Sequence, residues 1–432
     1  MRFSELEGRR VGVWGLGREG RAVADAVAAR FPSTELVLVD ESAGGDPASL
    51  AACEVVVRSP GVSRYRPELA ALAAAGVELT TGTRLWFAEH PRARAIAVTG
   101  SKGKSTTSSL IAHVAARAGL DVRLAGNIGV PLAAFLGAVP ADDPDLWVLE
   151  LSSFQTSDLD ASPEVGVLLN LFREHTDWHG TRERYRADKL NLFAHRADMR
   201  SVLNRADPGV REHAAGCPNP VWFRDPTGFD VGPAGITRAG EPHVARADIA
   251  LVGEHNLDNV CAALAALAAA GVAVDAPGEA LAGFRPLAHR LEPVVERDGV
   301  LYVNDSIATI PEATVAAARA LAPRPTVILV GGGDRSQDYG PLAAYLAGPS
   351  PVVGLVAMPA NGPAILARVA REAGVPGVEA GSLGDAVERA RAMAPAGGAV
   401  LLSPGAPSGA DFADFQARGD AFRALVGGDR GG

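Results

Sequence analysis

Cysteine is scarce in this 432-residue chain. Its three cysteines, Cys53, Cys217 and Cys261, are far apart, odd in number and in no CxxC spacing. That excludes a disulfide-stapled fold and points to a reducing compartment. Positive charge is also short: 41 Lys and Arg against 50 Asp and Glu leave a net charge of −9. A nucleic-acid or anionic-membrane partner is therefore not expected, although a local cradle of backbone N–H groups can still hold a small anion. Long apolar runs are missing too. The longest uncharged helical run, Asn259 to Val274, is Ala-rich and shorter than a membrane span. Charges are scattered through the first ten residues, so no signal peptide is expected. No coiled-coil, short-repeat or low-complexity segment is seen. The remaining composition, 47% hydrophobic and 21% charged, is globular. The length predicts two or three domains, and the location expected is cytoplasmic.

Three segments each open with a strand, a loop and a helix. The first begins VGVWG, continues with Gly15, Gly17 and Gly20 in G-x-G-x-x-G spacing, and reaches a second strand ending at Asp40. An acid about twenty residues past such glycines is the dinucleotide fingerprint, so an NAD-dependent oxidoreductase is one reading. The same glycines serve any doubly wound domain that takes a phosphate-bearing ligand. The second segment opens with ARAIAVTG and runs through SKGKSTT into a helix. Buried strands LWVLEL and VGVLLN follow, the latter leading into the polar cluster LFREHTDWHG. Residues 205–250 read as loops and short strands without chemistry. A third segment, from about Leu287, carries the strands LYVNDS, TVILVGGG, VVGLVAM and AVLLSPG with helices between. The fold class predicted is three consecutive α/β domains: a Rossmann-like domain over 1–90, a central P-loop ATPase domain over 91–286 and a Rossmann-like domain over 287–432.

The densest chemistry is at Thr99 to Thr107. Val98 stands where a standard phosphate loop has its first glycine, but Gly100-Ser101-Lys102-Gly103-Lys104-Ser105-Thr106 keeps the working parts. Gly100 and Gly103 let backbone close around phosphate oxygens, and the helix after them brings free N–H groups. Lys104 can reach the outer phosphates and Ser105 can offer its hydroxyl to magnesium. Magnesium also needs hard oxygen ligands. Glu150, ending a buried strand, is one candidate, and His175 lies just past the next strand. His175 and His179 are four apart, which opens a zinc reading, but no third ligand has a matching spacing. Lys189 follows on a helix, where the plain alternative is a solvated or salt-bridged lysine.

The set TGSKGKSTT, Glu150 to Gln155, Asn170 to Asp177, Lys189-Leu190, Gly253-x-His255-Asn256, His289-Arg290, Asn304-Asp305-Ser306 and Arg418-Gly419-Asp420 resembles the Mur ligase family over nearly the whole chain. Within that family the resemblance is to the ligases that add glutamate to UDP-N-acetylmuramoyl-L-alanine in peptidoglycan synthesis. It implies a uridine-nucleotide domain, a central ATPase and a C-terminal domain for glutamate, with ATP and two magnesium ions. Gly15, Gly17, Arg18, Glu19, Asp40, Gly61, Asn127 and Ser152 would then hold the UDP substrate. Gly100 to Thr106, Asn256, Asn259, Arg290 and Asp305 would hold ATP. Lys104, Glu150, His175 and Lys189 would be catalytic, with Ser105, Glu150, His175 and a carbamylated Lys189 at the metal. The uridine assignment displaces the NAD reading. A monomer without nucleic-acid or membrane partners is expected.

Departures from the family pattern fall in the third segment. Ile307-Ala308-Thr309-Ile310-Pro311 replaces the Lys-Ala-Thr-Asn that follows Asn-Asp-Ser in common D-glutamate enzymes. Gly331-Gly332-Gly333-Asp334 leads to Arg335 instead of a lysine, and Ser403-Pro404-Gly405-Ala406-Pro407-Ser408 replaces Ser-Pro-Ala-Cys-Ala-Ser. This resembles the variant that adds L-glutamate, whose product a separate epimerase converts. Thr309, Arg335, Ser408 and Phe415 are the acceptor candidates, and D-glutamate is the alternative substrate. A folylpolyglutamate-type ligase would lack the glycine-rich first segment.

Overall fold

The structure is a computed structural model, and it describes residues 1–138, 142–172, 176–251, 253–284, 288–334, 337–409 and 411–427. The first sheet is parallel. Its strands are β1 (Val11–Trp14), β2 (Leu36–Val39), β3 (Val55–Arg58) and β4 (Glu78–Thr80), in the order β2-β1-β3-β4. β1 and β3 are buried throughout, which is why their continuous apolar runs read as strands. The helix Arg18–Arg30 leaves from the glycine loop. It packs closely enough that a Cβ on Gly20 would lie 1.9 Å from the Gly15 carbonyl oxygen.

Nine strands form the second sheet: β5 (Ala95–Thr99), β6 (Val122–Gly126), β7 (Leu146–Glu150), β8 (Val165–Leu168), β9 (Arg200–Asn204), β10 (Pro220–Phe223), β11 (Phe229–Gly232), β12 (Gly235–Arg238) and β13 (Glu241–Ala245). The order is β13-β12-β11-β10-β9-β8-β5-β7-β6. β5 and β7, the buried centre, run parallel with Val98 opposite Glu150. Residues 205–250 are more regular than their composition suggests. Asp207 caps the helix Pro208–His213 by accepting from the Val210 N–H at 2.8 Å. β10 to β13 then extend the sheet, the last two antiparallel, with Phe223, Phe229, Ile236 and Val244 buried.

The third sheet holds β14 (Glu292–Arg297), β15 (Val300–Asn304), β16 (Thr326–Val330), β17 (Val352–Ala357), β18 (Gly377–Glu379) and β19 (Ala399–Leu402), in the order β14-β15-β19-β16-β17-β18. Only β14 is antiparallel to its neighbour. Separate apolar clusters cover its two faces, one around Val303, Ile328 and Leu355, the other around Tyr302, Leu329 and Val356. Three α/β sheets thus follow one another along the chain. By packing, the first two belong to one compact unit, Met1–Ala250 with His255–Phe284, and the third to another, Leu251–Glu254 with Arg285–Gly432. Among the described residues, no helix is long and apolar enough to cross a membrane.

Candidate active site

The chain leaves β5 at Thr99 and enters the helix Lys104–Arg117 with Gly103 as its N-cap. Gly100 has φ 150° and Gly103 φ 86°, conformations that suit glycine. A Cβ on Gly100 would sit 2.9 Å from Leu169 Cβ, and one on Gly103 2.5 Å from Asn259 Oδ1. The loop is therefore closed tightly against its neighbours, and a helix N-terminus with its partial positive charge opens from it. Asn170 brackets the loop: its Oδ1 accepts from the Lys102 N–H at 2.8 Å and its Nδ2 donates to the Lys102 carbonyl at 3.1 Å. Lys104 Nζ donates to the carbonyls of Gly100 and Ser101, both at 3.0 Å, so the ammonium spans the loop's carbonyl side. Ser101 is used structurally. Its backbone N–H donates to Asn170 O at 3.0 Å, and its Oγ lies 2.6 Å from Tyr185 Oη while accepting from the Phe172 N–H at 2.9 Å. Thr107 Oγ1 donates to Asn259 Oδ1 at 3.2 Å, and Asn259 Nδ2 donates to Asn256 Oδ1 at 2.8 Å. Both candidate adenosine residues on the helix Glu254–Ala269 are thereby tied to the phosphate-loop helix.

Glu150 ends β7 beside this loop and is 1% exposed. Its Oε1 accepts from Asn127 Nδ2 at 2.7 Å, while Oε2 is buried with no hydrogen-bond partner. Thr99 Oγ1, at the end of the adjacent strand, is buried and unpartnered as well. Buried polar atoms are nearly always satisfied, and a pair of exceptions at the carboxyl ends of parallel strands is a candidate ligand position. Lys189 is buried, on the helix Arg182–Leu190, and its Nζ donates to the Gly100 carbonyl at 2.9 Å and lies 5.0 Å from the Tyr185 ring centroid. Of the plain alternative, a solvated or salt-bridged lysine, burial removes the solvated half. His175 lies outside the described residues.

His179 answers the zinc reading. It is fully buried, with Nδ1 2.6 Å from Asp188 Oδ2 and Nε2 3.0 Å from Ser153 Oγ. A carboxylate accepts, so Nδ1 donates its proton to Asp188. Both nitrogens are engaged by protein partners, and among the described residues no group of three or more His, Cys, Asp or Glu is placed to hold a metal. Asp188 also accepts from Tyr65 Oη at 2.8 Å, and burial together with that bond pushes the Tyr65 phenol up to about 12. Further contacts join the 58–65 segment to the second sheet. Ser63 Oγ donates to Trp178 O at 2.7 Å, Trp178 Nε1 donates to Pro60 O at 3.0 Å, and Arg58 pairs with Asp158.

The remaining first-sheet candidates are engaged as follows. Ser59 Oγ donates to Gly15 O at 2.5 Å, and a Cβ on Gly17 or Gly61 would meet nothing within 4 Å. Arg18 donates to the Gly129 carbonyl. Glu19 accepts from Thr83 Oγ1 at 3.1 Å and Gln155 Nε2 at 3.0 Å, and burial raises its pKa. Asp40 Oδ1 accepts from the Ser42 N–H and hydroxyl. Ser152 caps the short helix Ser153–Thr156 with Gln155.

In the second unit, Asp305 is buried and accepts from Ser403 Oγ at 2.8 Å and the Leu291 N–H at 3.1 Å. Burial pushes its carboxyl up to about 7, against the pull of those bonds and of the Arg290 charge. Arg290 Nε is buried without a partner. Among the acceptor candidates, Thr309 offers its carbonyl to Gln337 Nε2 at 3.1 Å. Ser408 is half-buried. The Phe415 ring lies 6.0 Å from that of His289. Arg335 lies outside the described residues. Pro311 begins the helix Pro311–Ala320, where its missing N–H costs nothing. Asn170, Tyr185, Ser153, Asp188 and Tyr65 carried no role in the sequence reading, because each acts through partners remote in sequence.

Known proteins are similar to this chain in sequence and in fold. The Mur ligase middle domain matches residues 98–267, and the Mur ligase glutamate ligase domain matches residues 289–406. The UDP-N-acetylmuramoyl-L-alanine–L-glutamate ligase of Xanthomonas campestris pv. campestris is 42% identical, over 99% of this chain and 97% of that protein. The protein of the same name from Micromonospora sp. is 44% identical, over 99% and 98%. Among solved structures, the UDP-N-acetylmuramate–alanine ligase of Thermotoga maritima aligns with TM-score 0.61 at 16% identity, over 97% and 99% of the two chains. E. coli FolC in complex with DHPP and ADP aligns with TM-score 0.59 at 20% identity, over 80% and 92%. These two show the fold alone, whereas the full-length relatives above 40% identity decide the family: the chain belongs to the Mur ligases.

Proposed function

We propose that the chain joins L-glutamate to UDP-N-acetylmuramoyl-L-alanine with cleavage of ATP, a step of peptidoglycan precursor synthesis. The observation that carries this reading is similarity at 42 and 44% identity, along 99% of the chain, to relatives named for that reaction. The tight glycine loop, Lys104 and the bare carboxylate oxygen of Glu150 support it. A carboxylate resists attack by an amine. Transfer of the γ-phosphoryl group to the substrate carboxylate gives an acyl phosphate. The glutamate amine adds to its carbonyl carbon, and the tetrahedral intermediate expels phosphate. The chain's work is positioning and charge neutralisation, with Lys104 and the helix N-terminus facing the migrating phosphoryl group.

Magnesium fits the residues present: Glu150 Oε2 is a hard, buried oxygen without a partner. Ser105, Glu150, His175 and a carbamylated Lys189 would hold two ions, which when bound neutralise phosphate charge. Gly100 to Thr106, Asn256, Asn259, Arg290 and Asp305 are assigned to ATP. The UDP substrate is assigned to Gly15, Gly17, Arg18, Glu19, Asp40, Gly61, Asn127 and Ser152, and glutamate to Thr309, Arg335, Ser408 and Phe415. Domain boundaries are assigned at 1–90, 91–286 and 287–432, a reading supported by one sheet in each span. The enzyme acts in the cytoplasm as a monomer, and its product is the substrate of a separate epimerase.

The test is phosphate release by purified enzyme with UDP-N-acetylmuramoyl-L-alanine and each enantiomer of glutamate. Turnover with L-glutamate and little with D-glutamate is expected. The reverse preference overturns the stereochemical assignment, and no release with either overturns the ligase reading.

A further inference from the structure

Lysine is nearly absent from this chain. Of its 41 basic residues only Lys102, Lys104 and Lys189 are lysines, and the rest are arginines. All three meet at the phosphate loop. Lys102 and Lys104 are part of it, and Lys189 reaches it from the helix Arg182–Leu190, where its Nζ donates to the Gly100 carbonyl at 2.9 Å. A helix is ordinarily fixed by a stripe of apolar side chains. This one buries Tyr185, Asp188 and Lys189, all of them polar, while Arg186 and Leu190 are half-buried and the rest of the helix is exposed. Its placement depends chiefly on hydrogen bonds, and the position of the Lys189 amine depends on them too.

Tyr185 holds the helix to the phosphate loop through Ser101. Asp188 holds it from the other side. Tyr65 Oη lies 2.8 and 2.9 Å from its two carboxylate oxygens, His179 Nδ1 donates to it at 2.6 Å, and an Arg64 nitrogen is 3.9 Å away. Bonds to a buried carboxylate are stronger than those between neutral groups. Asp188 and Lys189 are consecutive, so their side chains leave the helix about 100° apart. One is tied towards the first sheet and the other towards the phosphate loop. Tyr65 itself is steadied by the 58–65 segment, which is bonded to Trp178 through Ser63 Oγ and the Pro60 carbonyl, and its ring meets Trp178 edge-on at 6.0 Å. A turn or slide of the helix at Asp188 therefore displaces the amine of the next residue.

We propose that Asp188 is a positioning residue for Lys189: clamped by Tyr65 and His179, it fixes the helix so that the Lys189 amine stays at the phosphate loop, and it makes that placement depend on the 58–65 segment of the first sheet. The part of Lys189 in the reaction belongs to the ligase reading, on which the proposal rests. Wild-type turnover in Lys189→Ala defeats that reading. The placement of the amine is measured separately, without turnover.

The experiment compares the full-length wild type with Tyr65→Phe, Asp188→Asn, Lys189→Ala and the double variant Tyr65→Phe/Lys189→Ala. A brief pulse of acetic anhydride labels lysine amines, and peptide mass spectrometry reads each site. With three lysines in the chain, every labelled lysine is assigned. Lys189 should be labelled slowly in wild type and several-fold faster in Tyr65→Phe and Asp188→Asn, with Lys102 and Lys104 unchanged. Turnover should fall by about tenfold in Tyr65→Phe and about a hundredfold in Asp188→Asn, as expected when a reacting group is misplaced, while the KM values for ATP and UDP-N-acetylmuramoyl-L-alanine stay as in wild type. Tyr65→Phe should cost nothing further in the Lys189→Ala background, because a residue that acts through another is silent once that other is gone. Where Asp188→Asn fails to fold, Tyr65→Phe decides, since Tyr65 is 37% exposed and loses only a hydroxyl. Wild-type labelling of Lys189 in the variants, an equal rise at all three lysines, unchanged kcat, or losses that multiply in the double variant would reduce Asp188 to general packing and overturn the proposal.

Discussion

Two side chains set sharp expectations at the scale of single residues. Lys104 donates to two carbonyls of the phosphate loop, an arrangement that holds the ammonium at the loop. Lys104→Ala should keep its melting temperature within a few degrees and lose a factor on the order of 10²–10³ in kcat, the usual cost of one preorganised transition-state donor. Near-normal phosphate release would remove the lysine from the mechanism. Asp305 predicts a pH effect. Its folded pKa of about 7 stands above the ordinary aspartate value of 3.8, so between those values the folded chain holds a proton that the unfolded chain has released. Stability contributed by this group is therefore greatest at the acid end and falls as the pH rises from about 4 to about 7. Asp305→Asn preserves the shape without the charge, and its melting temperature should decline less than that of wild type between pH 5 and 8. Parallel profiles for the two proteins would mean that the carboxyl is already ionised at pH 5.

At the scale of elements, legibility followed burial. β1, β5, β7, β8, β16 and β19 are buried along their whole length and could be read as continuous apolar runs. β6 (VRLAG), β9 (RSVLN) and β14 (EPVVER) carry polar residues and were not read as strands, since neither period 2 nor an unbroken run marks them. The phosphate loop and Glu150 were visible because a strand end and a helix start lie next to them in sequence. The line Ser153–His179–Asp188–Tyr65 was not, because its members are 26, 9 and 123 residues apart. Their union depends on the packing of the 58–65 segment against the helix Arg182–Leu190. That packing gives a third prediction. His179→Ala leaves the Ser153 hydroxyl buried without its imidazole partner, which costs about 1–3 kcal/mol, and leaves Asp188 with Tyr65. The melting temperature should fall, and metal analysis of the wild-type protein should find no zinc. Bound zinc lost in His179→Ala would restore the metal reading.

The whole molecule combines a glycine fingerprint in its first sheet with a phosphate loop in its second, and the two glycine loops need different ligands for the ligase reading to hold. In the first sheet, Gly20 is demanded by close packing, whereas Gly17 has open space around its Cα; a glycine without a steric reason suits the close approach of a ligand backbone or phosphate. Asp40 accepts twice from Ser42, and Glu19 accepts from Thr83 and Gln155. Gln155 belongs to the short helix that follows Glu150, so the first glycine loop is hydrogen-bonded to the segment carrying Glu150. A redox dinucleotide bound there would leave Lys104 and Glu150 without a task, while a uridine nucleotide would bring its carboxylate to a sheet that already holds the phosphate loop. The full-length protein should therefore be stabilised against heat by UDP-N-acetylmuramoyl-L-alanine and not by NADH. With free ligand at 100 times its Kd, linkage stabilises by about 2.7 kcal/mol, a shift of several degrees that a melting curve resolves. Stabilisation by NADH at comparable concentration, with none by the uridine nucleotide, would return the first sheet to the dinucleotide reading and leave the phosphate loop as an independent ATPase site.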